Sequence, residues 1–228
     1  MALTVLQVWQ NWIMDRLFLP RYIRTVVSEI EVRFGQLEGA ALWTNEYTDP
    51  VAADAAGLEA ATATTVAPRT VLAAGLIAGG KTALLTYPRN VTFTTAGATA
   101  SDAPATALIT GTDIDNAVLT ETVTIAQTAT VANGVKAFKT IVSVAYAAAE
   151  GTGATVSIGF GAVFGLSKTI LSRAGRLAVV QEISAGSVVT NGTFASATTS
   201  PPHGSYAPNS APDGSKDYSV TYERNLAA

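Results

Sequence analysis

The octapeptide VLTETVTI, residues 118–125, decides how the chain reads: Leu119, Val123 and Ile125 fall on one side of an extended backbone, and Thr120, Thr122 and Thr124 on the other. A period of two with threonine on the outward side marks a half-buried strand, because β-branched side chains suit a pleated surface. The pattern recurs on either side of this stretch. Val91 and Phe93 alternate with Thr92 and Thr94, and in VKAFKTIVSV (135–144) Phe138, Val142 and Val144 share a phase. Val156, Ile158 and Phe160 do the same in ATVSIGF (154–160), and LAVVQEI (177–183) and the in-phase Tyr218, Val220 and Tyr222 complete the set. Turn chemistry separates the runs, at Gly111 to Asn116, Asn133-Gly134, Gly151 to Gly153, Asn191-Gly192 and Asp213-Gly214. Short strands punctuated by turns, with no long helix between them, predict a mainly β protein, an antiparallel β-sandwich or barrel-like body.

That body is expected over residues 85–228, interrupted by a Pro/Gly/Ser-rich surface loop near 195–215 that cannot form a central strand. Residues 1–84 read differently. Ile30, Val32 and Phe34 alternate with Glu29, Glu31 and Arg33 and predict one short strand, while residues 35–68, poor in bulky side chains, read as an extended arm. At the start, Leu3, Leu6, Trp9, Ile13 and Leu17 recur at helical spacing, with Trp12 and Phe18 widening the apolar stripe beyond one face. Asp15 and Arg16 interrupt the apolar run and Pro20 closes it, so the spacing predicts neither a membrane span nor a signal peptide. Burying such a stripe contributes several kcal/mol, at about 1.5–3 kcal/mol per large side chain before entropy losses. Leu3, Leu6, Trp9, Trp12, Ile13, Leu17 and Phe18 are the candidate interface with a second subunit; the alternative is that the helix packs on the chain's own sheet.

Composition narrows the chemistry. The 228 residues hold 14 Lys plus Arg, 17 Asp plus Glu, one His and no Cys. Without cysteine there is no disulfide framework and no thiolate metal site, and a net charge of −3 with dispersed bases lacks the footprint of a nucleic-acid binder. Charged residues make up 14% of the chain, against a usual level of roughly a quarter, so the surface is unusually neutral and invites association.

No motif assembles a reaction. Gly75 to Thr82 fits the phosphate-loop spacing, with Lys81 and Thr82 in the positions for phosphate and magnesium, yet Pro88 leaves too short a stretch for the required helix. His203 sits in Pro-Pro-His-Gly and reads as a surface residue of a mobile loop, not a catalytic base. Asp113 and Asp115 in GTDIDN read as a hairpin turn, since the calcium-loop spacing is missing. Asn90 and Asn191 match the glycosylation pattern, which arises by chance in a Thr-rich chain. Glu121, in phase with Leu119 and Val123, is expected to point inward, to form a salt bridge with Lys136 or Lys139, or to stand at an interface. The chain is read as non-enzymatic, with no cofactor and no metal.

The runs RNVTFTTAG (89–97), ALITGTDIDNAVLTETVTI (107–125), GVKAFKTIVSV (134–144), GATVSIGFGAVFGL (153–166) and APDGSKDYSVTYE (211–223) resemble a β-rich virion protein of tailed bacteriophages, of the capsid decoration or cement type. The likeness covers roughly residues 85–228. It implies a structural role on the capsid surface of a virion, with the chain itself, expected as a homotrimer, and the major capsid protein as partners, and with neither nucleic acid nor membrane. A tail, connector or spike component is the alternative in that class. A host-glycan-binding module, using Tyr206 and the loop around it, is the alternative outside it. Removing residues 1–34 is expected to abolish self-association measured by light scattering; a truncated chain that assembles normally rules the helix out as the glue.

Overall fold

The computed structural model describes residues 40–76, 85–97, 99, 102–125, 130–170, 172, 173, 176, 177, 179–197 and 202–225. The chain divides into two compact units, Met1–Ala41 and Leu42–Ala228, and the sheets below belong to the second apart from the first two residues of the leading strand. The expected helix, its interface residues and the strand at 28–34 lie outside the described residues.

The described strands are β1 (Ala40–Tyr47), β2 (Asp54–Ala63), β3 (Arg69–Leu72), β4 (Arg89–Gly97), β5 (Thr106–Thr112), β6 (Val118–Thr124), β7 (Val131–Phe138) and β8 (Thr140–Tyr146). They continue with β9 (Ala154–Gly165), β10 (Ser172–Arg173), β11 (Arg176–Leu177), β12 (Val179–Ser184), β13 (Ser187–Val189), β14 (Thr193–Ser196), β15 (Ser205–Ala207) and β16 (Tyr218–Asn225). Mainly antiparallel β structure is thus observed, with sheets ordered β14-β15-β9-β4-β7, β3-β8-β5-β6 and β1-β16-β12-β13, and β2 joined to β9. The first two curl around one core into a half-barrel.

Alternation fills that core. Val91 and Phe93 of β4, Leu119 and Val123 of β6, and Val156, Ile158 and Phe160 of β9 all turn inward, as their period requires. Three expectations are corrected. The stretch at 35–68 contains β1 and β2, not an irregular arm; β2 lies against β9 so closely that a Cβ on Gly57 would meet the Phe160 ring at 2.5 Å. Gly57 thus marks a close approach to the Phe160 ring, not a lack of packing. Second, the Pro-rich stretch near 195–215 holds β15, an internal strand between β14 and β9. Ser205 to Ala207 fits there because the prolines stop at Pro202 and resume at Pro208, leaving every N–H in the strand free to pair. Third, VKAFKTIVSV is not one strand. The chain leaves the large sheet at Phe138 and enters the other at Thr140, and a bulge in the β5–β8 pairing turns both Ile141 and Val144 inward while Val142 is 53% exposed.

The turns follow local chemistry. At the β5–β6 hairpin the Asp113 carboxylate accepts hydrogen bonds from the backbone N–H groups of Asp115 (3.0 Å) and Ala117 (2.9 Å), and Asn116 takes the left-handed conformation at φ 65°. The expected turn at Asn133-Gly134 is instead part of β7, where a Cβ on Gly134 would meet Glu121 Oε2 at 2.7 Å and Val91 O at 3.0 Å.

A second core is aromatic. Tyr47 stacks on Phe164 with ring centres 4.3 Å apart, Tyr218 tilts against Phe164, and Phe194 meets Tyr206 and Tyr222 edge-on. Three phenols of this core find acceptors: Tyr47 donates to Gly165 O (2.9 Å), Tyr218 to Ala211 O (2.9 Å) and Tyr206 to Glu182 Oε2 (2.6 Å). Between the cores lies Arg89, 2% exposed, donating from Nε to Gly161 O (2.8 Å) and from Nη1 to Val51 O (2.9 Å). Its guanidinium lies 5.4 Å from the ring centre of Phe160 in the first core and 5.1 Å from that of Phe164 in the second. Burial lowers its pKa to about 10.

Burial also raises the phenol pKa of Tyr47, Tyr146, Tyr206 and Tyr222 above the ordinary 10.0. Below about pH 10 both folded and unfolded chains keep these protons; above it the unfolded chain releases them first, so stability falls as pH rises. Urea unfolding at stepwise higher pH is expected to show a midpoint that holds to about pH 10 and then drops.

Candidate interaction surface

Register fixes what the outer face of the β3-β8-β5-β6 sheet presents. Leu72, Ser143, Thr110 and Thr120 lie opposite one another across the four strands, and Thr70, Ala145, Leu108 and Thr122 form the next row. Thr106 and Thr124 extend the face at one end, and Thr140, Thr112 and Val118 at the other. None of these side chains is charged. Leu72 is 64% exposed, Val118 73% and Leu108 44%, and Val142 on the bulge adds a fourth exposed apolar group. A solvated sheet face ordinarily alternates apolar residues inward with polar and charged ones outward. Depletion of charge is the compositional mark of an interface core. This face was legible in part, since the threonines of VLTETVTI share a phase, but which strands stand beside them was not.

Polar pins hold the loops around the body. Glu182, fully buried, accepts from Tyr206 Oη, from Gly192 N (2.8 Å) and from Asn209 N (3.1 Å), so one carboxylate ties together the two chain segments that flank β14 and β15. Nothing in LAVVQEI announces this role, because Glu182 follows Gln181 with no partner nearby in sequence. Tyr206 is buried too, so it is closed to the glycan stacking considered for it.

The remaining candidates fall as follows. Glu121 is half-buried, as expected, but pairs with no lysine side chain: it accepts from Val135 N (2.7 Å) and Lys136 N (3.2 Å) and stitches β6 to β7. Burial pushes its pKa up, with those two backbone bonds and the Lys136 charge opposing. Lys136 Nζ donates to Thr120 O (2.8 Å), and Lys139 Nζ to Leu85 O (2.8 Å) and Thr86 O (2.7 Å). His203 is not a surface residue of a mobile loop. Its side chain is 8% exposed, Nε2 lies 2.8 Å from Asp115 Oδ2, and its backbone N–H donates to Asp113 Oδ2 (3.2 Å). The turn at Asp113 thus holds a segment that lies 90 residues away in sequence. Asn90 is buried, with its amide donating to Gly134 O (2.8 Å), which closes it to glycosylation. Of the phosphate-loop match, Ala73–Gly75 forms a single 3₁₀ turn and Leu76 is buried, while Lys81 and Thr82 lie outside the described residues. Among the described residues no group of three His, Asp or Glu side chains stands in metal-binding geometry.

Tyr206→Phe is expected to cost about 1.5–3 kcal/mol, the range for a hydrogen bond to a charged group, because it leaves a buried carboxylate one donor short. Chemical denaturation measures it, and an unchanged midpoint would mean that Glu182 is not a structural pin.

No protein-family model, curated protein or solved structure matches the chain, so its residues and their geometry carry the functional reading.

Proposed function

We propose that the chain is a non-enzymatic virion structural protein, a capsid decoration or cement subunit that self-associates, as a homotrimer, and bridges major capsid subunits on the capsid surface. The observation that carries this reading is the uncharged outer face of the β3-β8-β5-β6 sheet, with Leu72, Leu108, Val118 and Val142 exposed on it. A monomer that works alone in water gains nothing from leaving these groups uncovered, whereas a subunit in a shell covers them with a neighbour. The resemblance over residues 85–228 and a charged content of 14% point the same way.

Size supports a repeated contact over a single tight one. Three strands of seven residues and one of four, about 4.8 Å apart and at about 3.3 Å per residue, make a face of roughly 400 Å². That is about half of the ~800 Å² each partner contributes to a standard stable interface. One such contact is weak, but many copies linked through a lattice bind cooperatively because each further contact is intramolecular.

Leu108→Arg and Val142→Arg place a charge on the face without touching the core. Each is expected to change folding stability by no more than about 0.5 kcal/mol, as for an ordinary surface substitution. Each should nonetheless lower incorporation into particles, read as copy number against the major shell protein, with wild-type chain seen on the shell by electron microscopy. Variants that incorporate like wild type would remove the face from the proposal. A chain that is monomeric at high concentration and absent from the shell would end it.

A further inference from the structure

Trp43 on β1 carries two cations. Lys168 Nζ lies 5.4 Å from a ring centre and Arg224 Cζ 5.1 Å from it, so two like charges share one indole. The ring is held in place: its Nε1 donates to Ser167 Oγ (2.9 Å), which donates in turn to Asn45 Oδ1 (3.0 Å). Lys168 is held through its backbone, whose N–H donates to Tyr222 Oη (3.1 Å) and whose carbonyl accepts from the same hydroxyl (3.1 Å). Arg224 is held by a bridge to Ile170. These anchors leave the charged ends uncommitted. Neither cation pairs with a carboxylate among the described residues, and Arg224 Nε is buried without a hydrogen-bond partner.

A cation over an aromatic face gains roughly 0.5–1 kcal/mol when exposed, but the π-cloud does not satisfy in-plane N–H donors. Two positive groups brought together also repel. An oxyanion that reaches both cations offsets their like charge and meets the open guanidinium donor. The guanidinium fork matches two oxygens of a carboxylate or phosphate, the ammonium supplies a point charge, and the indole gives an apolar wall that excludes water.

We propose that Trp43, Lys168 and Arg224 form an oxyanion-binding site, which takes either the carboxylate of an acidic side chain on a neighbouring molecule or a free phosphate. The site stands on β1, β16 and the segment after β9, and it does not depend on the uncharged sheet face.

The full chain labelled with ¹⁵N tests it. The Trp43 indole signal, identified by its loss in Trp43→Phe, is followed while sodium phosphate replaces sodium chloride at constant ionic strength, and in a second arm while an oligoglutamate peptide is added. A saturable shift is expected in at least one arm, weakened about tenfold in Arg224→Gln and in Lys168→Gln, as for loss of a charge-assisted hydrogen bond. Saturation by phosphate identifies a small free anion as a sufficient ligand; saturation by the peptide alone identifies an acidic partner chain. Lys168→Gln, on a partly exposed side chain, keeps the test standing if Arg224→Gln does not fold. No saturation in either arm, or folded variants that titrate like wild type, overturns the proposal.

Discussion

One buried guanidinium joins the two halves of the body. Arg89 sits at the start of β4, where the first core ends and the aromatic core begins, and its plane lies against a ring from each. Taking a charge out of water costs several kcal/mol unless its donors are met. Here the carbonyls of Gly161 and Val51 meet them, so backbone dipoles face the charge. Because those carbonyls belong to β9 and to the β1–β2 connection, the arginine fixes how three segments meet. The long strand β9 then runs through both cores, with Phe160 in one and Phe164 in the other.

Around this frame the same device recurs: a carboxylate that accepts backbone N–H groups from a distant segment. Glu182, Asp113 and Glu121 each do so, and each takes the place that a helix or a longer strand would fill in a larger fold. Such bonds use up acidic side chains in the interior and at seams.

Parts of the architecture were legible before folding. Where one face of a strand is wet and the other dry, the period of two is strong, and so the inward residues of β4, β6, β9 and β16 were read in their true phase. β2 and β15 were not legible, for the same reason in two forms. Gly57 of β2 is dictated by the Phe160 ring of β9 lying against it, and β15 is a strand only because β9 and β14 lie on either side of it. The bulge at Val142 is not legible either, since a run with one extra residue keeps its composition while its phase slips.

Local chemistry, then, was enough to specify extended segments, their inward sides and most of the turns, because those depend on neighbours within a few residues. Long-range pairing decided the rest. Which side chains stand on the uncharged face, why Tyr206 and His203 are covered, and how Trp43 comes to lie beside Lys168 and Arg224 all depend on residues distant in sequence being brought together, 90 positions apart for Asp113 and His203 and 124 for Trp43 and Ser167. No window along the chain contains that information.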